Sequence, residues 1–191
     1  MLKQLTAGEL EILLGSMKTL QRLLTKSPAP RVPYVVRSLR PGDIGWIIHR
    51  QGLLYFQEYG WDETFEALVA EIMGNFVKTY DPKHEQCWVA DRDDEVVGSV
   101  FLVRETKDVA KLRLLYVEPS ARGLGIGRRL VDECVGFAKN DGYKTLTLWT
   151  NDVLVSARRI YQTAGFKLVG EERHHSFGKD LVGQNWALDL T

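Results

Sequence analysis

The sequence predicts an α/β protein with a mixed sheet flanked by helices. Runs rich in β-branched and aromatic residues indicate strands, and apolar residues at helical spacing indicate amphipathic helices. From residue 34 onward these segments follow the order β-α-α-β-β-β-α-β-α-β-β. A chain of 191 residues, 45% of them hydrophobic, is long enough to bury one sizeable core. We therefore predict one main domain over residues 34–191.

The first 27 residues predict an additional amphipathic helix. Thr6-Ala-Gly-Glu9 has the pattern of a capping box. Three prolines within residues 28–33 indicate a stiff, extended linker, because proline fixes φ and removes a backbone donor. We expect the domain boundary in this linker. The apolar residues of the predicted helix are Leu10, Leu13, Leu14, Met17, Leu20 and Leu24.

In the first half of the main domain, we expect a strand over residues 34–40 and then a helix capped by Asp43. A second helix should start near Asp62, where seven apolar residues between Phe65 and Val77 form a one-sided stripe. Three strands should follow, over residues 87–90, 95–103 and 111–117, the first two joined by a hairpin turn at residues 91–94.

The second half alternates helices and strands. A helix should follow Gly127, then a strand over residues 145–150 and a helix over residues 155–164. Two last strands are expected, over residues 166–170 and 185–190. His174-His175-Ser176 falls between them and is expected to be a loop.

Composition excludes several functional classes. Lys plus Arg (25) equals Asp plus Glu (25), so the net charge indicates neither a nucleic acid nor an anionic membrane as partner. Cys87 and Cys134 lie far apart without metal-ligand spacing, so we expect no metal site. The sequence has no apolar run long enough to cross a membrane, and we expect a cytoplasmic protein.

A glycine-rich loop lies between the strand that ends at Val117 and the next helix. Its sequence, Arg122-Gly-Leu-Gly-Ile-Gly-Arg128, has glycine at three alternate positions. Glycine lets a ligand approach the backbone closely, and a helix that begins in such a loop presents free N–H groups and the positive end of its dipole. The arginines, including Arg129, add positive charge. The sequence therefore predicts a pyrophosphate site.

Two common phosphate loops do not fit this segment. A Walker loop ends in Gly-Lys-Ser/Thr, and the dinucleotide fingerprint requires glycine at position 128, where this chain has arginine. Neither ATP nor NAD is therefore favoured as the ligand.

The loop and its surroundings resemble the motifs of the GNAT superfamily of N-acetyltransferases. The loop has the pattern Arg/Gln-x-x-Gly-x-Gly, it follows Leu-Leu-Tyr-Val-Glu-Pro, and Ala157-x-x-x-Tyr161-x-x-x-Gly165-Phe166 comes 30 residues later. The resemblance covers about Tyr34 to Leu190. It implies a mostly antiparallel sheet and acetyl-coenzyme A as cofactor. The implied cofactor contacts are Leu115, Tyr116, Val117, Arg122, Gly123, Leu124, Gly125, Ile126, Gly127, Arg128, Asn151 and Tyr161.

Asn151 is assigned in spite of a departure from the family pattern. The family often places asparagine three residues before the alanine of the second motif, where this chain has Leu154. Asn151 lies three residues earlier. It either replaces the missing cofactor contact or caps the next helix.

The resemblance also implies direct transfer, in which an amine attacks the thioester carbonyl. The family stabilises the resulting oxyanion with a backbone N–H group of the strand that carries Leu115, Tyr116 and Val117, where neighbouring strands splay apart. Tyr161 matches the general acid that protonates the departing thiolate, because a phenol with a pKa near 10 is protonated at neutral pH. The alternative is a buried tyrosine with a satisfied hydroxyl.

The base that deprotonates the amine is less clearly marked. Glu58, Glu105 and Glu118 are candidates, as is His49. We select Glu58 because it lies between the first two predicted helices, a segment that often shapes the acceptor pocket in this family. The alternative is a solvated glutamate at a helix end.

Aromatic residues around Glu58 are candidates for the acceptor pocket. We expect Tyr55, Glu58, Tyr59 and Trp149 to contact the amine, with Trp61 as a further member of the aromatic group. Core packing is the alternative for all four aromatic residues. The sequence does not identify the amine.

The N-terminal helix resembles the closing helix of MarR-type regulators, in which such helices contribute to dimerisation. We therefore expect a homodimer through residues 1–27, the alternative being a helix that packs on its own domain. The DNA-reading helices of such regulators are missing from this chain, so we expect no nucleic-acid binding. The alternative function is a non-catalytic acyl-coenzyme A sensing module of a transcriptional regulator.

Overall fold

The computed structural model describes residues 34–191 continuously, together with Thr6, Leu13, Leu14, Ser16, Met17 and Leu24. The chain divides into two compact units, residues 1–33 and residues 34–191. In the first unit every described residue after Thr6 is helical, and Leu14, Met17 and Leu24 are exposed. The predicted linker over residues 28–33, the rest of the capping box and Leu10 and Leu20 lie outside the described residues.

The second unit is built on one seven-stranded sheet with strand order β1-β2-β3-β4-β5-β7-β6. Neighbouring strands are antiparallel except for the parallel pair β4 and β5. The predicted mixed, mostly antiparallel sheet is therefore confirmed. The strands are β1 (Val35–Ser38), β2 (Gln86–Arg92), β3 (Glu95–Arg104), β4 (Val109–Val117), β5 (Thr145–Asn151), β6 (Lys167–Ser176) and β7 (Lys179–Asp189).

Four α-helices connect the strands in the predicted order, and the 3-10 helix Pro119–Ala121 follows β4. Asp62 caps the second helix, as expected, by accepting a hydrogen bond from the Thr64 backbone N–H at 3.1 Å. The prediction that Asp43 caps the first helix is wrong, because Gly42 holds the cap position and the Asp43 carboxylate binds Arg37. The helices are α1 (Asp43–Tyr59), α2 (Glu63–Thr79), α3 (Ile126–Asn140) and α4 (Val155–Thr163).

Apolar side chains pack on both faces of the sheet. On one face, residues of α3 and α4 such as Leu130 and Tyr161 pack against Leu146 of β5. On the other face, α1 and α2 contribute Ile47 and Met73, among others. Burying each such large side chain contributes roughly 1.5–3 kcal/mol, so the two layers hold the helices in place on the sheet. Among the described residues, no helix is both long and apolar enough to span a membrane.

The hairpins β2–β3 and β6–β7 differ from their predicted limits. Asp93 and Asp94 both have positive φ (57° and 61°), so β2 and β3 are joined by a turn of only these two residues. The expectation of a loop at His174–Ser176 is wrong, since these residues belong to β6. β6 lies at the edge of the sheet, and its side chains are largely exposed, so a polar strand forms there without the apolar alternation that marks a buried one.

The parallel pair β4 and β5 separates part-way along its length. Their pairing joins Val109–Leu112 to Thr145–Leu148 and ends there, whereas β5 continues to pair with β7 as far as Asn151. Leu114, just beyond the last pair, has a φ of +54°, a left-handed conformation that distorts β4. The sheet therefore opens beside residues 113–117, as the resemblance implied.

Candidate active site

A cleft of about 470 Å³ lies where the sheet opens. Its walls come from the end of α1, the end of β4, the glycine-rich loop with the start of α3, and the start of α4. The sequence-predicted site residues that it brings together are Tyr55, Glu58, Tyr59, Leu115, Tyr116, Val117, Arg122, Gly123, Gly125, Ile126, Gly127 and Arg128. Residues that the sequence did not predict also line it: Leu54, Ala121, Leu154, Ser156, Ala157 and Ile160.

The glycine-rich loop has the geometry of an anion site. Gly123 and Gly125 both have a φ of +80°, and a Cβ atom added at either position would meet no atom within 4 Å. Gly125 is the N-cap of α3 and offers no side chain to the first-turn N–H groups. These donors and the helix dipole therefore face open space that a phosphate group fits.

Position 127 requires glycine for a different reason, which is the packing of α3 against α4. A Cβ atom there would lie 2.8 Å from Cδ1 of Ile160 in α4. Glycine at this position therefore lets α3 pack closely against α4, although its backbone lines the cleft as well. The prediction of close cofactor approach rests on Gly123 and Gly125 rather than on the space beside Gly127.

Two ion pairs of opposite orientation join α1 to the segment after β4. Arg50 binds both carboxylate oxygens of Glu118, from Nε at 2.5 Å and Nη2 at 2.8 Å. Two helical turns later, Glu58 binds Arg122 of the glycine-rich loop, through Nη1 at 3.0 Å and Nη2 at 2.8 Å. We call these the inner pair and the cleft pair. The partners are 68 and 64 residues apart in the chain, so no local sequence pattern marks them.

The inner pair is largely buried, and a tyrosine hydroxyl also binds its carboxylate. Glu118 has 8% of its surface exposed and also accepts a hydrogen bond from the Tyr116 hydroxyl. Burial raises the pKa of Glu118, but hydrogen bonds from Arg50 and Tyr116 outweigh it, so this pKa lies below its ordinary value. Glu118 is therefore a carboxylate held by two partners.

Comparison with known proteins assigns the fold to a family. Residues 53–166 match the Acetyltransferase (GNAT) family. The chain belongs to this family. It is 33% identical over 123 residues to an uncharacterized N-acetyltransferase of Schizosaccharomyces pombe, a match that spans 63% of this chain and 75% of the yeast protein. It is 29% identical over 133 residues to human N-acetyltransferase 8B, spanning 66% of this chain and 59% of the human protein.

Solved structures share the fold at lower sequence identity. The Salmonella typhimurium protein yncA, solved with its cofactor acetyl-CoA, has a TM-score of 0.65 at 16% identity, over 83% of this chain and 94% of that one. A ribosomal-protein-alanine N-acetyltransferase of Brucella melitensis has a TM-score of 0.66 at 20% identity, over 81% and 99%. The GNAT fold and its acyltransferase class thus apply to this chain.

In this GNAT domain Tyr161, the predicted general acid and cofactor contact, is not among the residues that line the cleft. It is 5% exposed and packs against Phe166, with 5.9 Å between ring centroids. Among the described residues, its hydroxyl has no hydrogen-bond partner. Burial, and then the nearby phenol of Tyr55, raise its pKa well above the ordinary tyrosine value. Tyr161 therefore keeps its proton throughout the neutral range.

Of the three candidate glutamates, Glu58 alone lines the cleft. Glu105 instead binds Lys111 at 2.9 Å and the Thr147 hydroxyl at 3.1 Å, and it does not line the cleft. Glu118 belongs to the inner pair. Of the three, only Glu58 is therefore placed to contact a molecule in the cleft.

Asn151 and Trp149 lie outside the cleft lining, as does Leu124, which packs on the core. The Asn151 side chain accepts a hydrogen bond from Nε2 of His174 at 2.9 Å, and it does not cap α4, whose N-cap is Leu154. Trp149 lies over Gly183, where an added Cβ would come within 2.9 Å of the indole. The cleft lining thus contains neither of these two predicted contacts.

The aromatic residues of the acceptor segment divide between cleft and core. Tyr55 lines the cleft and also packs on Trp61 and Phe65, with ring centroids 5.0 and 4.5 Å apart. Trp61 is 2% exposed and packs on Phe177 at 4.8 Å. Trp61 is therefore a core residue that supports Tyr55 from behind.

The inner pair predicts a pH-dependent loss of stability. We expect Glu118→Gln to lower the free energy of unfolding by about 1.5–3 kcal/mol at pH 7, because Arg50 loses a charged partner. The folded-state pKa of Glu118 is depressed, so this stabilisation is present above the ordinary glutamate pKa of about 4.3 and is lost as pH falls further. Urea unfolding of both proteins from pH 7 downward measures the difference.

Glu133→Gln is the matched control. Glu133 pairs with Arg129 one turn away on the exposed side of α3, where such pairs contribute about 0.3–0.5 kcal/mol. Equal effects of the two substitutions at pH 7 would contradict a stabilising role for the inner pair.

Proposed function

We propose that this GNAT domain transfers an acetyl group from acetyl-coenzyme A to a primary amine by direct attack. One observation carries the proposal. A single cleft joins the anion site at the start of α3 to the Glu58 segment of α1, and it passes the opening between β4 and β5. Donor and acceptor can therefore meet beside β4 backbone that is not paired with β5.

The residues present fit the cofactor. Gly123, Gly125 and the first-turn N–H groups of α3 would hold the pyrophosphate, with positive charge from Arg122 and Arg128. The apolar side chains of Ala157 and Ile160 offer a wall for its uncharged arm. When bound, acetyl-coenzyme A supplies an acetyl group activated as a thioester.

Backbone groups of β4 are placed to contact the donor. No described strand pairs with residues 113–117 on the side where β5 has diverged. Their polar groups on that side therefore seek other partners, because backbone N–H and C=O groups must be satisfied. N–H groups of Leu115–Val117 are our candidates to stabilise an oxygen that gains negative charge.

Two side chains would handle protons. Tyr161 holds its proton at Oη, and we assign to it the proton that the departing sulfur requires. Glu58 is a carboxylate at the acceptor end of the cleft, and we assign to it the binding and deprotonation of the amine. Tyr55 and Tyr59 would enclose the acceptor beside Glu58.

A thiol-release assay tests the proposal. The full chain is incubated with acetyl-coenzyme A and a panel of amines: lysine, alanine, tyramine, a lysine-containing peptide and aspartate. Aspartate is included because N-acetylaspartate synthetase of Xenopus tropicalis is 36% identical over 89 residues, 46% of this chain and 33% of that protein. We expect amine-dependent release of free thiol. Binding of acetyl-coenzyme A without release for any amine would favour the sensing alternative.

The glycine-rich loop can be tested by a substitution in it. We expect Gly125→Val to abolish acetyl-coenzyme A binding in calorimetric titration, because a β-branched residue disfavours a φ of +80° and its side chain would enter the open space beside the N-terminus of α3. Gly136→Ala, in the same helix with equally open surroundings, should keep full affinity. Full affinity of a folded Gly125→Val protein would exclude the loop as the pyrophosphate site.

Removing the Tyr161 hydroxyl separates binding from turnover. We expect Tyr161→Phe to leave the Kd for acetyl-coenzyme A nearly unchanged and to lower kcat by about 10²- to 10⁴-fold, because a phenylalanine fills the buried site but donates no proton. Thiol release at saturating substrates measures kcat. Unchanged turnover would exclude Tyr161 as the acid.

A further inference from the structure

All three guanidinium nitrogens of Arg122 make hydrogen bonds within the protein. Its Nη1 and Nη2 atoms bind the two carboxylate oxygens of Glu58, and Nε donates to the Val117 carbonyl at 3.3 Å. Each of its three guanidinium nitrogens thus has a partner. A phosphate group that binds the Nη1 and Nη2 edge of this guanidinium in a bidentate manner must displace the Glu58 carboxylate.

The cleft pair is weak enough for a pyrophosphate to displace Glu58 from Arg122. The cleft pair is accessible to water, with 48% of the Arg122 side chain and 27% of the Glu58 side chain exposed. Exposed pairs between single charges are weak. A pyrophosphate carries more charge, and it also gains the N–H groups and dipole of α3 beside Gly125.

The inner pair keeps α1 in place during such an exchange. Arg50 and Glu118 join the same helix to the same segment two turns away, and their contact is more buried, with 21% and 11% of the side chains exposed. Opening the cleft pair therefore changes the partner of Glu58 without releasing α1 from the segment after β4.

We infer that Glu58 and the cofactor pyrophosphate compete for Arg122, so that binding of acetyl-coenzyme A uncovers the Glu58 carboxylate for the amine. The inference rests on the proposed function. Before the exchange, Glu58 is neutralised by Arg122 and has little attraction for a cationic amine. After it, the acceptor end of the cleft carries an uncompensated negative charge. Glu58 thus acts as a specificity residue whose charge is available only in the cofactor complex.

Competition between Glu58 and the pyrophosphate for Arg122 should affect cofactor binding and use of the amine in opposite directions. A carboxylate that holds Arg122 in the free enzyme opposes cofactor binding, and coupling between sites is reciprocal. Removing the charge of Glu58 should therefore strengthen cofactor binding and weaken use of the amine. A merely structural role of Glu58 would weaken both.

A double-mutant cycle tests the inference by calorimetric titration of the full chain with acetyl-coenzyme A. We expect Glu58→Gln to lower the Kd by about 2- to 5-fold, the range for loss of an exposed ion pair. Arg122→Gln should raise the Kd, and adding Glu58→Gln to it should have no further effect. Glu63→Gln, which removes one negative charge from the exposed start of α2, is the charge control and should leave the Kd unchanged.

Two results would overturn the inference. One is a Kd for Glu58→Gln equal to or above that of the unaltered chain. The other is a decrease of the same size in the Arg122→Gln background, which would indicate a general charge effect. Arg122→Lys repeats the cycle with the charge kept and the bidentate geometry lost. Failure of the unaltered chain to bind acetyl-coenzyme A would instead contradict the proposed function.

Discussion

The end of pairing between β4 and β5 is the constraint on which the rest of the site depends. A parallel pair that continued beyond Leu112 and Leu148 would close the sheet and satisfy the backbone of residues 113–117. Because the two strands separate, the cleft has backbone that is not paired with β5 on one side and the start of α3 at its end. The left-handed conformation of Leu114 is the local cost of this opening, and the packed layers on both faces of the sheet sustain it.

Much of the fold was predictable because its signals are local. Element order follows from hydrophobic periodicity, and the glycine-rich loop is marked by residue type alone. The strand at His174–Ser176 was missed because an exposed edge strand needs no apolar alternation. The cap assignment of Asp43 failed because Arg37, from the preceding strand, binds the carboxylate.

The sequence predicted the glycine-rich side of the candidate site better than the side that contains Glu58. On the proposed cofactor side, most of the lining comes from one segment, residues 115–128, which its residue types mark, and α4 adds residues such as Ala157 and Ile160. The acceptor side depends on contacts between distant segments. The role of Arg50 and the partner of Glu58 lie in pairs more than 60 residues apart in sequence. Trp149 packs over Gly183 of β7. The sequence of β5 alone does not indicate this contact.

The aromatic residues behind Tyr55 support one wall of the cleft independently of the glycine-rich loop. Trp61 and Phe65 support Tyr55 from α2 and the segment before it, and Phe177 reaches them from the turn between the last two strands. None of these three residues belongs to the cofactor loop. Variation at Phe177 can therefore reshape the Tyr55 wall of the cleft through its packing on Trp61 and Phe65, while the glycine-rich loop stays intact. The shape of the cleft beside Tyr55 can thus change by substitutions that leave the glycine-rich loop as it is.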